Sequence, residues 1–277
     1  MPDLLREYVR SILVEITKLP KEYFSMIDDA ITSSAFWEEP NTQDEIDLLN
    51  TSAGNTMGTP AAESLQLALQ DVFEELGLDM DVVVGSHSTD DIEGMTLHPG
   101  HPAYPDRWLT DARWYVSKQN PGRNTVDIEM MTSEDEILEL DPAALVRHIS
   151  QTVRHELVHW NQMKKQAISK GGLTDTEAFE EMLNDPKQIP DDETGTVADY
   201  LHSHIEIDAH AHDGAEEMLA VYGEEGAKDQ LRRGFDMSDP KLPNAIKHYY
   251  DVLAKDDPTL DKLKSKMYSY MQYFLEK

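Results

Sequence analysis

His155-Glu156-Leu157-Val158-His159 lies inside a long stretch of helical pattern, and no other feature constrains this chain as much. Asp141 is an acceptor cap and Pro142 a first-turn proline, so a helix is predicted to begin there and to stop at Gly171-Gly172. Leu157, Val158 and Trp160 make that helix core-facing. Residues four apart share a helix face, so both imidazoles can reach a single ion. Glu156 projects at a different angle and can hold a water on the ion instead of the ion itself. Zinc lowers the pKa of such a water and a glutamate can take its proton. His155 and His159 are therefore expected as metal ligands and Glu156 as catalytic base. The ordinary alternative is a chance match on a polar helix face.

A catalytic zinc usually has three protein ligands. The chain has no cysteine, so the third must be His, Asp or Glu. A histidine six residues after the second would fall on Lys165, which closes that route. The candidate source is a helix expected over about 195–222. At about 100° per residue, Asp199, His202, Glu206, His210 and Asp213 form one polar stripe on it, beside an apolar face of Val197, Leu201, Ile205 and Leu219. Glu206 stands at the centre of the stripe.

On His155, Glu156, His159 and Glu206, the sequence resembles the glutamate-type (gluzincin-like) zincin metallopeptidases over about residues 110–222. The resemblance implies a zinc cofactor, hydrolysis of a peptide or protein substrate, and a mixed sheet packed on the active-site helix. It also implies an edge strand that binds extended peptide, for which residues 125–131 are the candidate. One departure stands out: His210 occupies a position where many relatives have an acidic residue, four after the ligand glutamate. The third ligand is expected to be Glu206, ahead of His210, His202 and Asp208. A histidine at 210 or 202 that is not a ligand could donate to a developing oxyanion, and His210 is the catalytic candidate of the two.

The chain has 277 residues, 39% of them hydrophobic, with 4 Trp and 11 Tyr, enough for a buried core. Helices are expected at 21–33, 61–76, 175–184, 243–255 and 258–275. Val82-Val83-Val84, Arg113-Trp114-Tyr115-Val116 and Thr125 to Met130 have the β-branched and aromatic content of strands. Pro121-Gly122-Arg123-Asn124 is turn material joining the last two as a hairpin, and 86–106 is expected as a long loop. The expected class is α+β and zincin-like, mostly helical, with a small mixed or antiparallel sheet on the active-site helix. Residues 22–277 are expected as one domain behind an amphipathic helix within 1–21.

The formal charge is −30. Residues 1–21 carry four basic and three acidic side chains and 241–277 carry seven and five, so 22–240 hold −33. A field of that sign repels nucleic acid and anionic membrane. It favours cationic substrates or simply keeps the chain dissolved. No secretory signal and no membrane-length apolar run is present, so a soluble protein, cytoplasmic or virion-associated, is expected.

Leu5-Arg6-Glu7-Tyr8-Val9-Arg10 followed by Leu13-Val14-Glu15 resembles the leaders of many tailed-phage structural and capsid-packaged proteins. This resemblance implies virion or capsid association through residues 1–15, with cleavage after Glu15; the alternative is an ordinary helix packed on the domain. Two rival functions follow: a virion structural or interaction protein on a zincin scaffold with a structural or vestigial metal, and a metal-dependent hydrolase of a non-peptide amide or ester. His148 is expected to pack locally, and His87, His98 and His101 to be solvated in the long loop.

Overall fold

The computed structural model describes residues 18–34, 60–88, 108–116, 124–132, 142–183 and 196–276. They divide into two compact units, one of Pro20–Leu157 and the other of Lys18, Leu19 and the chain from Val158 onward. Helices dominate and one three-stranded sheet accompanies them, an α+β class. No helix among the described residues is long and apolar enough to cross a membrane. Residues 1–15, His98, His101, Asp141 and the 121–123 turn lie outside the described residues.

The Pro20–Leu157 unit contains α1 (Lys21–Ser33), α2 (Pro60–Glu75), β1 (Met80–Ser88), β2 (Trp108–Val116), β3 (Asn124–Thr132) and the first half of α3 (Pro142–Ser169). Gly77 ends α2 at φ 68, a left-handed conformation that a side chain would resist. The amide of Leu78 then reaches back to the Phe73 carbonyl and that of Gly77 to the Glu74 carbonyl, so carbonyls left open at the helix end are satisfied. Gly171 and Gly172 close α3 with the same pair of bonds, to Ile168 and Ala167.

The strand order is β1-β3-β2. β3 pairs parallel with β1 and antiparallel with β2, so the sheet is mixed. Val82 lies opposite Val126 and Val84 opposite Ile128, and all four are buried, as period-two alternation requires of one sheet face. Helix α2 runs against β1. Gln70 accepts from the Val82 amide at 2.9 Å and donates to the Met80 carbonyl at 3.1 Å, while Gln66 accepts from the Val84 amide at 3.1 Å. Two glutamines thereby satisfy backbone groups that an edge strand would otherwise present to another chain. Leu65, Leu69 and Phe73 of α2, Ile27 and Ile31 of α1, and Ile149, Val153 and Leu157 of α3 are buried in this unit. The α3 residues recur every four positions, the spacing of one helix face.

Three expectations need correction. The 125–131 strand is not an edge: β3 is central, with both sides paired, and cannot accept an added peptide strand. Residues 86–88 of the expected long loop are strand, because β1 continues through Ser88. The helix expected over 195–222 is two helices, α5 (Val197–His202) and α6 (His204–Arg233), separated at Ser203.

The second unit also contains α4 (Asp175–Leu183), α7 (Asn244–Val252) and α8 (Pro258–Leu275). Its core joins Ile207, Ala211, Ala215 and Met218 of α6 to Ile246 and Tyr249 of α7 and to Leu263, Met267 and Tyr270 of α8. Small residues let α6 and α8 approach closely: a Cβ on Gly214 would meet the Met267 Cε at 3.1 Å. Asp257 caps α8 by accepting from the Thr259 amide at 2.8 Å, with Pro258 in the first turn.

Truncating the fully buried Ile128 tests the sheet. Ile128→Ala should lower the unfolding free energy by about 2–5 kcal/mol in urea titration. Val83→Ala, on the exposed side of β1, should change it by less than about 0.5 kcal/mol.

Candidate metal centre

Helix α3 supplies three of the expected residues. Arg154, itself buried, holds the helix within its unit through a 2.9 Å pair with Asp28 of α1 and a cation–π contact over Phe24. The boundary between the units falls after Leu157, inside α3, so one unbroken helical turn fixes His155 relative to His159. His155 is half-buried, and Glu156 and His159 are each 8% exposed.

The break at Ser203 decides which residues of the expected stripe reach the site. Ser203 has φ −59 and ψ 131, an extended conformation, so α6 begins afresh at His204 on a different course from α5. Asp199 closes a capping box with Thr196 at the start of α5, accepting from the Thr196 amide at 2.9 Å and donating its own amide to the Thr196 hydroxyl. His202, its side chain 42% exposed, pairs with Asp257 at 2.9 Å. Asp208, two residues beyond Glu206, is buried in a 2.9 Å pair with Lys266 of α8. None of Asp199, His202 and Asp208 joins the histidines of α3 in a metal-holding group among the described residues.

What survives of the stripe is Glu206, His210 and Asp213, successive on one face of α6. Glu206 is 9% exposed. Its Oε1 stands 3.5 Å from His159 Nε2 and its Oε2 stands 3.9 Å from His210 Nε2. His155 lies one helical turn before His159 on the same helix, α3.

The separation of His159 and Glu206 suits a bound cation. Ligand atoms about 2.0–2.2 Å from a tetrahedral ion stand roughly 3.4 Å from each other. The 3.5 Å between His159 and Glu206 is long for a charged hydrogen bond and matches such an edge. Two imidazoles and one carboxylate suit a borderline divalent transition ion and leave a fourth position for water or substrate.

The surroundings include residues that sequence reasoning missed. Gln162, one turn beyond His159, places its Oε1 3.1 Å from His159 Nδ1. Its amide nitrogen donates to the Ile205 carbonyl and to Asp208 Oδ2, both at 3.2 Å. Tyr249 of α7 is fully buried, with its ring edge-on to His210 at 5.6 Å. Burial, reinforced by the charges of Glu206 and Asp213, pushes the Tyr249 phenol up. Tyr200 flanks His210 from the other helix, with its hydroxyl 3.4 Å from Nε2. The i+3 spacing of Gln162 was a readable signal, whereas Tyr249 and Lys266 are distant in sequence and carried none. His212 is a core histidine, bonded to Asp213 at 3.2 Å and edge-on to Tyr270 and Phe274.

No family model matches this chain, and comparisons with curated proteins and with solved structures gave no match.

The diversion of His202 has a measurable consequence. The hydrogen bond from His202, followed by that from the Thr259 amide, holds the Asp257 carboxyl down to about 2. A carboxyl depressed from its usual value of about 3.9 contributes stability that is complete above that pH and is lost as pH falls through its folded value. The stability deficit of Asp257→Asn, measured by urea midpoint, should be full at pH 5 and should shrink progressively from pH 4 toward pH 2.

Proposed function

We propose that this chain is a zinc-dependent metallopeptidase, with His155, His159 and Glu206 as ligands and Glu156 as the catalytic base. The supporting observation is the 3.5 Å approach of His159 on α3 to a carboxylate from a separate helix, Glu206 of α6, with His155 one helical turn before His159 on α3. When bound there, zinc polarises the scissile carbonyl and makes water a nucleophile near neutral pH. Glu156, one residue beyond His155 and buried, accepts a proton from the attacking water and passes it to the departing amine nitrogen. Low exposure lowers the local dielectric and strengthens the interactions of that carboxylate. His210 stands beside Glu206 and can donate from its ring to the developing oxyanion.

The decisive experiment couples activity to metal content. Glu156→Gln should reduce cleavage of generic protein substrates by about 10²–10⁴-fold, with zinc retained at the parent's stoichiometry by elemental analysis. His155→Ala should lose the zinc as well. A parent protein that holds zinc yet cleaves no peptide or protein would overturn the peptidase assignment; one that holds no zinc would overturn the site itself.

A further inference from the structure

We infer that a buried relay of Gln162, Asp208 and Lys266 fixes the tautomer of His159 and thereby sets how tightly the site holds its ion. The inference rests on the metal-site assignment above for its second half only. All four residues belong to the unit that begins at Val158.

The direction of each bond follows from the donor and acceptor capacity of the groups. Lys266, 6% exposed, can only donate, and its Nζ lies 2.9 Å from Asp208 Oδ1. Asp208, 2% exposed, is thereby held as a carboxylate, an acceptor at both oxygens. Its Oδ2 faces the Gln162 side chain at 3.2 Å, and a carboxylate oxygen can be met there only by the amide nitrogen. The Ile205 carbonyl, also 3.2 Å from Gln162 Nε2, demands the same orientation. The amide is therefore anchored by two acceptors, and its oxygen must face His159 Nδ1, 3.1 Å away. An amide oxygen only accepts, so Nδ1 carries the hydrogen and, in the neutral ring, the lone pair is left on Nε2. That is the nitrogen 3.5 Å from Glu206 Oε1, on the side where the ion would sit.

Three consequences follow from this chain of bonds. A free neutral imidazole divides its proton between two nitrogens; here the ring is already in the tautomer that a cation requires. The ring is also held against rotation, which lowers the ordering cost of binding. Finally, a residue of the last helix, α8, becomes part of the holding of an ion two helices away, because Lys266 keeps Asp208 charged and fixed. Gln162, Asp208 and Lys266 are positioning residues, acting on the metal through His159.

Gln162→Met is the direct test, since methionine keeps the length and helix propensity of glutamine but cannot accept from Nδ1. The first readout needs no metal: nitrogen-15 chemical shifts of His159 in the metal-free full chain near pH 8. The parent should show a single tautomer protonated at Nδ1, and Gln162→Met a mixture. The second readout is zinc affinity by chelator competition, expected to fall by about 10–100-fold. Lys266→Met, which strands Asp208, should weaken zinc similarly, whereas Lys266→Arg should keep most of the affinity. Should Lys266→Met fail to fold by circular dichroism, Gln162→Met and Lys266→Arg still decide the matter. An unchanged tautomer in Gln162→Met overturns the relay, as does unchanged zinc affinity in a parent that binds zinc. A parent that binds no zinc but shows the single tautomer, lost in Gln162→Met, upholds the orienting role while the metal assignment falls.

Discussion

The site depends on α3 remaining one helix through His155 and His159. Two imidazoles on a flexible loop would have to be ordered each time an ion bound, at a cost in side-chain and backbone entropy. On a helix their spacing is fixed by the backbone hydrogen bonds of a single turn. The buried face of Ile149, Val153 and Leu157 and the Arg154–Asp28 pair hold the preceding turns, so the histidine-bearing turn is a continuation of anchored helix.

The carboxylate comes from α6. Its first turn starts at His204, so Glu206 lies in the turn where amide groups still lack helical partners and where negative charge is favoured. The extended Ser203 turns His202 outward to Asp257 and leaves Glu206 facing His159. The small residues Ala211, Gly214 and Ala215 bring α6 close to α8, and this closeness places Lys266 within reach of Asp208. A buried lysine–aspartate pair is a weak contributor to stability, because desolvation offsets much of the attraction. Its value here lies in direction: it fixes which way an amide, and then an imidazole, must point.

Residues 22–240 carry a formal charge of −33. Such a field attracts divalent cations and positively charged peptides and repels nucleic acid. It acts at long range and is screened by salt, so it governs encounter more than final geometry.

The sequence alone determined what short-range physics could decide. Helix starts at Pro20 and Asp257-Pro258, stops at Gly77 and Gly171, the three β-branched strands and the one-turn spacing of His155 and His159 all follow from local sterics, hydrogen bonding and periodicity. Glu206 was also legible, as the centre of a polar stripe. Tertiary structure decided the rest. No proline or glycine marks Ser203, so periodicity runs straight through it; in the fold His202, just before the break, meets Asp257, over fifty residues later. The central position of β3 depends on its pairing back in parallel with β1, the first strand, a choice of partner and not of local conformation. Lys266 and Tyr249 carry no motif, because a residue that orients another is defined by where it ends up, and only packing brings α7 and α8 to the start of α6.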